Sequence, residues 1–195
     1  MNLANKLTMI RMILIPFFLI FITVKGMPYG KLIAIAIFIL ASITDKLDGY
    51  IARSRNQVTN FGKFMDPLAD KLLITTALIC LVEYHIIPSW AAVIIVAREF
   101  AVTGLRTIAA AEGMVIAASP WGKAKTVTQI VAIILALLNL TYNHVSLSLL
   151  RGFLNRPHKV LNIVTDVAMA IAIIMTLISG IDYFVKNKEV IRTDR

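Results

Sequence analysis

Thr44–Lys71 reads TDKLDGYIARSRNQVTNFGKFMDPLADK, a stretch that sets four aspartates and two glycines between long apolar runs. Asp45 and Asp48 are three residues apart, so they share one face of a helix arriving from the preceding apolar run. Gly49 and Ala52 continue that face with small residues, which leaves room for a ligand to lie against the backbone. Arg53 follows Gly49 by four positions, where a guanidinium can meet phosphate oxygens. Gly62, Asp66 and Asp70 recur every fourth residue, so a helix through them lines up all three. Pro67 is expected to kink that helix, or to begin it with Asp66 as its cap.

Two pairs of carboxylates on consecutive antiparallel helices repel one another near a bilayer unless cations intervene. Lys46 and Lys71 point to other faces. Oxygen donors of this kind select hard divalent ions, magnesium, manganese or calcium over zinc. Two such ions can clamp a diphosphate. Solvated helix ends would account for a single pair of aspartates, but not for both pairs together with both glycines and Arg53.

The rest of the chain sets this stretch in a membrane. Of 195 residues, 58% are hydrophobic, and the mean hydropathy is +0.80. A water-facing exterior cannot be built from that composition. A spanning helix needs about 20 apolar residues, and six candidates are expected: Met12–Lys25, Lys31–Ala52, Pro67–Tyr84, Pro88–Ala111, Lys125–Leu140 and Val160–Val185. The fold class is therefore all-α, a polytopic membrane protein read as a single domain over residues 1–195. In the lead NLANKLTMIRM, Leu3, Leu7 and Ile10 fall at helical spacing, which predicts an amphipathic helix lying at the interface. The connection NHVSLSLLRGFLNRPHK suggests a second interfacial helix.

Lys6 and Arg11 ahead of an apolar run resemble the start of a signal peptide, but no small-residue cleavage site follows, so a retained first helix is expected. Basic residues concentrate in the Arg53–Lys63 and Arg106–Lys125 loops and in the tail, which predicts that these, with both termini, face the cytoplasm. The net charge of +9 suits anionic headgroups or phosphorylated substrates. Nucleic acid is not expected, because the basic residues are dispersed among apolar spans. Cys80 is the only cysteine, which excludes an intrachain disulfide and a cysteine-rich zinc site. His85, His144 and His158 fall near expected membrane edges and read as interfacial residues, and Asp166 stands in the last span without an obvious mate.

The pattern D-x2-D-G-x2-A-R-x8-G-x3-D-x3-D is complete in Asp45, Asp48, Gly49, Ala52, Arg53, Gly62, Asp66 and Asp70. It resembles the signature of the CDP-alcohol phosphotransferase family, and the six spans and amphipathic lead extend the resemblance over essentially the whole chain. The resemblance implies displacement of CMP from a CDP-activated lipid, CDP-diacylglycerol, by the hydroxyl of a second alcohol. It implies that Asp45, Asp48, Asp66 and Asp70 hold two divalent ions, Mg2+ or Mn2+, and that Asp70 doubles as general base. It further implies that Gly49 and Gly62 let the nucleotide approach, that Arg53 and Thr59 touch the CDP moiety, and that Asn5 and Thr8 reach it from the lead. Family members form homodimers, so a homodimer in the cell membrane is expected.

The segment AREFAVTGLR places Arg98 and Glu99 inside an apolar helix, with Arg106 eight residues on and on roughly the same face. A buried arginine is costly unless it meets an anion. Lys123 and Lys125, in GKAKT, approach from the next helix. These four cations can form a pocket for a phosphate-bearing acceptor. Pairing of Arg98 with Glu99, and snorkelling of the two lysines, are the plain alternatives. Both segments resemble the branch of the family whose acceptor is sn-glycerol 3-phosphate. Branches that make phosphatidylinositol phosphate, phosphatidylserine or cardiolipin are the rivals within the family. A small cation-coupled transporter is the rival outside it. A transporter would place carboxylates near mid-span on broken helices, whereas here they cluster at one edge beside Arg53.

Overall fold

The computed structural model describes residues 3–27, 29–54, 60–111, 113–114, 116–117, 119–144 and 158–188; of these, the side chains of residues 3–4, 45–54, 60–61, 63–64, 143–144 and 158 lie outside the description. Among the described residues there are six helices: α1 Leu3–Thr23, α2 Gly30–Ser54, α3 Asn60–Glu83, α4 Ser89–Ala111, α5 Pro120–His144 and α6 His158–Lys186. Three segments, Asn5–Thr23, Pro120–Tyr142 and Lys159–Lys186, are long and apolar enough to cross a membrane. The other three helices, α2, α3 and α4, carry the two aspartate pairs, Arg53, Arg98, Glu99 and Arg106. Those charges cut their apolar windows short, leaving Gly30–Thr44 as a shorter apolar stretch in α2.

The helices fall into two compact units, Met1–Ile86 with Ala136–Arg156, and Ile87–Leu135 with Pro157–Arg195. In the first unit, α1 packs against both α2 and α3, and α2 packs against α3. Its core is built from Phe18, Ile22, Phe38, Leu73, Leu78 and Leu81, with Ala34, Ala41, Ala69 and Ala77 fully buried between them. Such small residues let helices approach closely, which matters where lipid tails outside are as apolar as the core inside. The rings of Phe18 and Phe38 lie tilted, with centroids 6.0 Å apart. The Tyr84 hydroxyl donates to the Ile22 carbonyl at 2.8 Å and so ties the end of α3 to the end of α1. The Lys31 ammonium sits over the Tyr84 ring, 4.7 Å from its centroid. The turn into α2 depends on Gly30, where a Cβ would come within 2.8 Å of the Phe21 carbonyl oxygen. In the second unit, α4 packs against α6.

The lead departs from its expectation. It is not a separate interfacial helix but the first turns of α1, which runs unbroken through Pro16 to Thr23. Its inward face is also not the apolar one. Asn5, Thr8 and Arg11 are buried, in line with Ile15, Phe18 and Ile22, while Met9, Ile10 and Ile13 are exposed. This is the polarity a bilayer imposes, with apolar side chains toward lipid and polar ones toward the protein.

The helix bearing Asp66 and Asp70 starts earlier than expected. α3 begins at Asn60 and takes Pro67 into its body. Pro67 lies past the first turn, so it leaves the carbonyl four residues back without its donor, and the helix continues through it. Gly62, Asp66 and Asp70 therefore do share one helical face. The expected interfacial helix between α5 and α6, most of the basic tail, and Thr59 lie outside the described residues.

Candidate active site

In the first unit, α2 stays helical through Asp45, Asp48, Gly49, Ala52 and Arg53, although the side chains of these residues are outside the description. On α3, Gly62 is buried and Asp66 and Asp70 are half-buried. The Thr8 hydroxyl donates to Oδ1 of Asp66, so α1 reaches the acidic face of α3 directly. Asn5, one turn before Thr8 and also buried, belongs to the same inward stripe. The sequence pointed Asn5 and Thr8 toward a nucleotide, and the structure seats Thr8 on an aspartate.

Among the described residues no group of three potential metal ligands is assembled, and the described donors are only part of the set. Those that are described fit a hard divalent ion. They are carboxylates one helical turn apart, half-buried, on a helix packed against the one that carries Asp45 and Asp48. The partner described for Asp66 is a neutral hydroxyl.

The second unit gathers the basic residues. Arg98 donates from Nη2 to the Ser179 hydroxyl, and its Nη1 lies 3.8 Å from Glu99 Oε2. Glu99 is held more closely by the Lys125 ammonium. Arg106 donates from Nε to the Tyr183 hydroxyl at 2.8 Å, and from Nη2 to the same oxygen. Tyr183 in turn donates to the Ala117 carbonyl at 3.0 Å. Arg98 and Lys125 thus meet on Glu99, Arg106 sits in a second set with Tyr183 and Ala117, and Lys123 is exposed on the first turns of α5. Lys125 does not snorkel to the surface, the plain alternative for it: it is buried, with Glu99 as its counter-ion.

These sets have parts that the sequence did not reveal. Ser119 caps α5, accepting from the Gly122 backbone N–H at 3.2 Å. The first turn of α5 contains no acidic residue, so its positive end is not offset by a carboxylate of its own. Gly122 lies beside Ser179, with a Cβ at that position falling 3.9 Å from Ser179 Oγ. The opening of α5 is therefore next to the group that holds Arg98. Asp182 pairs with Lys186 at 2.6 Å. Asp166, the carboxylate singled out in the last span, is exposed and makes no ion pair among the described residues.

A helical fold with an acidic helix pair in one unit and a basic cluster in the other defines a class of proteins before it defines a member. Residues 1–178 match the family described as CDP-alcohol phosphatidyltransferase, and the chain belongs to that family of enzymes. It is 43% identical to the CDP-diacylglycerol–glycerol-3-phosphate 3-phosphatidyltransferase of Bacillus subtilis strain 168, over 98% of each chain. It is 41% identical to a probable phosphatidylglycerophosphate synthase of Mycobacterium tuberculosis, over 93% of this chain and 79% of the relative. To the enzyme of Haemophilus influenzae with the same name as the Bacillus protein it is 37% identical, over 93% of this chain and 91% of the relative.

Proposed function

We propose that this protein transfers a phosphatidyl group from CDP-diacylglycerol to sn-glycerol 3-phosphate, releasing CMP and forming phosphatidylglycerophosphate. The observation that carries the choice of acceptor is the cluster in the second unit. There Arg106 is held by a neutral hydroxyl, and Arg98 shares a single carboxylate, Glu99, with the nearer Lys125. Positive charge of that kind in a low-dielectric surround calls for an anion. A phosphate-bearing acceptor supplies one with a net negative charge, whereas the carboxylate of serine is offset by its own ammonium group. The names of the relatives agree with this reading.

In the transfer, the acceptor hydroxyl attacks the β-phosphorus of the diphosphate, a new P–O bond forms, and the bond to CMP breaks. Asp70 takes the hydroxyl proton. Gly49 and Gly62 give the nucleotide close access to the helix backbones, and Arg53, Thr59, Asn5 and Thr8 surround it. Asp45, Asp48, Asp66 and Asp70 would hold two Mg2+ or Mn2+ ions, which neutralise the diphosphate and improve CMP as a leaving group. Arg98 and Arg106, with Lys123 and Lys125 at the start of α5, bind and orient the acceptor's phosphate.

The wider arrangement belongs to the same reading. All six helices would cross the cell membrane, with the first turns of α1 at the cytoplasmic interface, the active site and both termini on the cytoplasmic side, and two copies forming a homodimer. The basic loops and tail support this orientation. The test is direct. Purified protein is given CDP-diacylglycerol, magnesium and, in separate reactions, glycerol 3-phosphate, serine, inositol phosphate or phosphatidylglycerol, and the lipid product is identified by mass. Phosphatidylglycerophosphate with stoichiometric CMP is the expected result. A product from another acceptor, with none from glycerol 3-phosphate, would overturn the assignment.

A further inference from the structure

Two residues of α6, one helical turn apart, hold the two arginines of α4. Ser179 accepts from Arg98 and Tyr183 accepts from Arg106. Arg98 and Arg106 are themselves eight positions apart on α4, so a single strip of α6 serves both. Gly180 lies in the same strip, and a Cβ there would meet Arg98 Cγ at 3.3 Å. The aliphatic stem of Arg98 therefore rests where any larger residue would crowd it.

The chemistry of these partners is informative. Tyr183 is only 2% exposed. Its single hydroxyl proton is committed to the Ala117 carbonyl, so the oxygen presents lone pairs to Arg106. A carboxylate in its place would fix the guanidinium equally well but would cancel its charge. A phenol and a serine hydroxyl fix direction while leaving the charge available. Arg106 remains exposed beyond this contact. Ser179 also adjoins the first turn of α5 at Gly122, so Arg98 is held beside the start of that helix.

We propose that Ser179 and Tyr183, with Gly180 between them, are positioning residues that aim Arg98 and Arg106 at the anionic group of the acceptor. This inference rests on the acceptor assignment made above. It assigns to the last helix a part in acceptor selectivity, exercised without touching the acceptor.

The test compares Tyr183→Phe, Ser179→Ala, Gly180→Ala, Arg106→Ala and the double variant Tyr183→Phe with Arg106→Ala. KM for glycerol 3-phosphate, KM for CDP-diacylglycerol and kcat are measured for each purified protein. Tyr183→Phe is expected to raise KM for glycerol 3-phosphate on the order of tenfold, as befits loss of a hydrogen bond to a charged group, with KM for CDP-diacylglycerol unchanged. Ser179→Ala and Gly180→Ala should give the same pattern to a smaller degree. In the double variant the tyrosine change should add nothing to the arginine change, because a positioning residue has no effect once its charge is gone. If Arg106→Ala raises the acceptor KM and Tyr183→Phe does not, or if Tyr183→Phe weakens both substrates alike, the positioning role is overturned and the acceptor pocket stands. If Arg106→Ala itself leaves the acceptor KM unchanged, the pocket is overturned and the positioning role falls with it. Should Tyr183→Phe prove unstable, Gly180→Ala decides, since it removes no polar group. An unchanged acceptor KM in Gly180→Ala would then overturn the proposal.

Discussion

Thr8 and Asp66, 58 positions apart in the sequence, meet in a hydrogen bond that runs from the threonine hydroxyl to carboxylate Oδ1. The bond crosses from α1 to α3 and fixes one oxygen of an aspartate proposed to hold a divalent ion. Groups that orient a metal ligand commonly contribute about 10- to 100-fold to metal affinity or activity. Thr8→Val keeps the shape of the side chain and removes the donor. It is expected to raise the magnesium concentration needed for half-maximal turnover by about tenfold, and Thr8→Ser should restore the requirement. An unchanged magnesium requirement with a raised KM for CDP-diacylglycerol would assign Thr8 to the nucleotide instead.

Turnover should depend strictly on a divalent ion, because four aspartates on two packed helices cannot remain ionised together in a low-dielectric site without cations. Excess EDTA should abolish CMP release, and magnesium or manganese should restore it. Calcium is expected to bind without supporting turnover, since its looser and larger coordination misplaces the diphosphate. Full activity in chelator would remove the metal role from all four aspartates.

Gln129 is a buried amide on α5, 2% exposed, and among the described residues neither its Oε1 nor its Nε2 has a hydrogen-bond partner. Burying such a group unpaired costs about 1–3 kcal/mol. Gln129→Met, which preserves length and removes both polar atoms, should therefore raise the unfolding midpoint in detergent while turnover is retained. A loss of turnover with no gain in stability would show instead that Gln129 serves the substrate.

The acidic face of α3 and the arginines of α4 were legible in the sequence, and physical reasons separate them from their partners. Asp66 and Asp70 could be placed on one face because a four-residue repeat has only one meaning once the segment is helical. Arg98 and Arg106 were conspicuous because charges inside an apolar helix are costly. Their partners were not, since Ser179 and Tyr183 lie 81 and 77 positions further on, and a serine and a tyrosine in an apolar span are unremarkable by type. Contacts between helices distant in sequence leave no periodic trace. The lead shows a different limit. Its amphipathic period was readable, but period alone does not say which face turns inward, and the bilayer inverts the rule that holds in water. The start of α3 was misplaced by reading Pro67 as a boundary, where the helix accommodates it in its second turn.

Arg106→Ala tests the acceptor pocket itself. The residue combines a fixed guanidinium with exposure, and it carries no carboxylate partner among the described residues. Loss of a charge-assisted contact costs about 1.5–3 kcal/mol, equivalent to a change of roughly tenfold or more in apparent affinity. KM for glycerol 3-phosphate should rise by that factor while KM for CDP-diacylglycerol holds. Lys123→Ala should give a smaller effect, since its exposed ammonium loses less in water. A rise confined to CDP-diacylglycerol would move Arg106 to the donor lipid.

Asp70→Asn separates proton transfer from binding. The two side chains are nearly isosteric, so α3 should fold as before, but an amide cannot accept the hydroxyl proton. A general base contributes about 10²–10⁴-fold, and a loss of turnover in that range is expected. Asp70 is also a proposed metal ligand, and a bound cation would lower its pKa and weaken it as a base. The two roles are compatible if one carboxylate oxygen faces the ion and the other faces the acceptor, an arrangement open to a half-buried side chain on the α3 face shared with Asp66. The asparagine variant should still bind CDP-diacylglycerol, because Asp45, Asp48, Asp66, Gly49 and Arg53 remain. Asp48→Asn should differ, losing metal affinity and nucleotide binding together. Calorimetry with a CDP analogue in detergent follows binding, and CMP release follows turnover. Near-normal turnover in Asp70→Asn would remove the base role from Asp70, while loss of binding and turnover together would make it a ligand first.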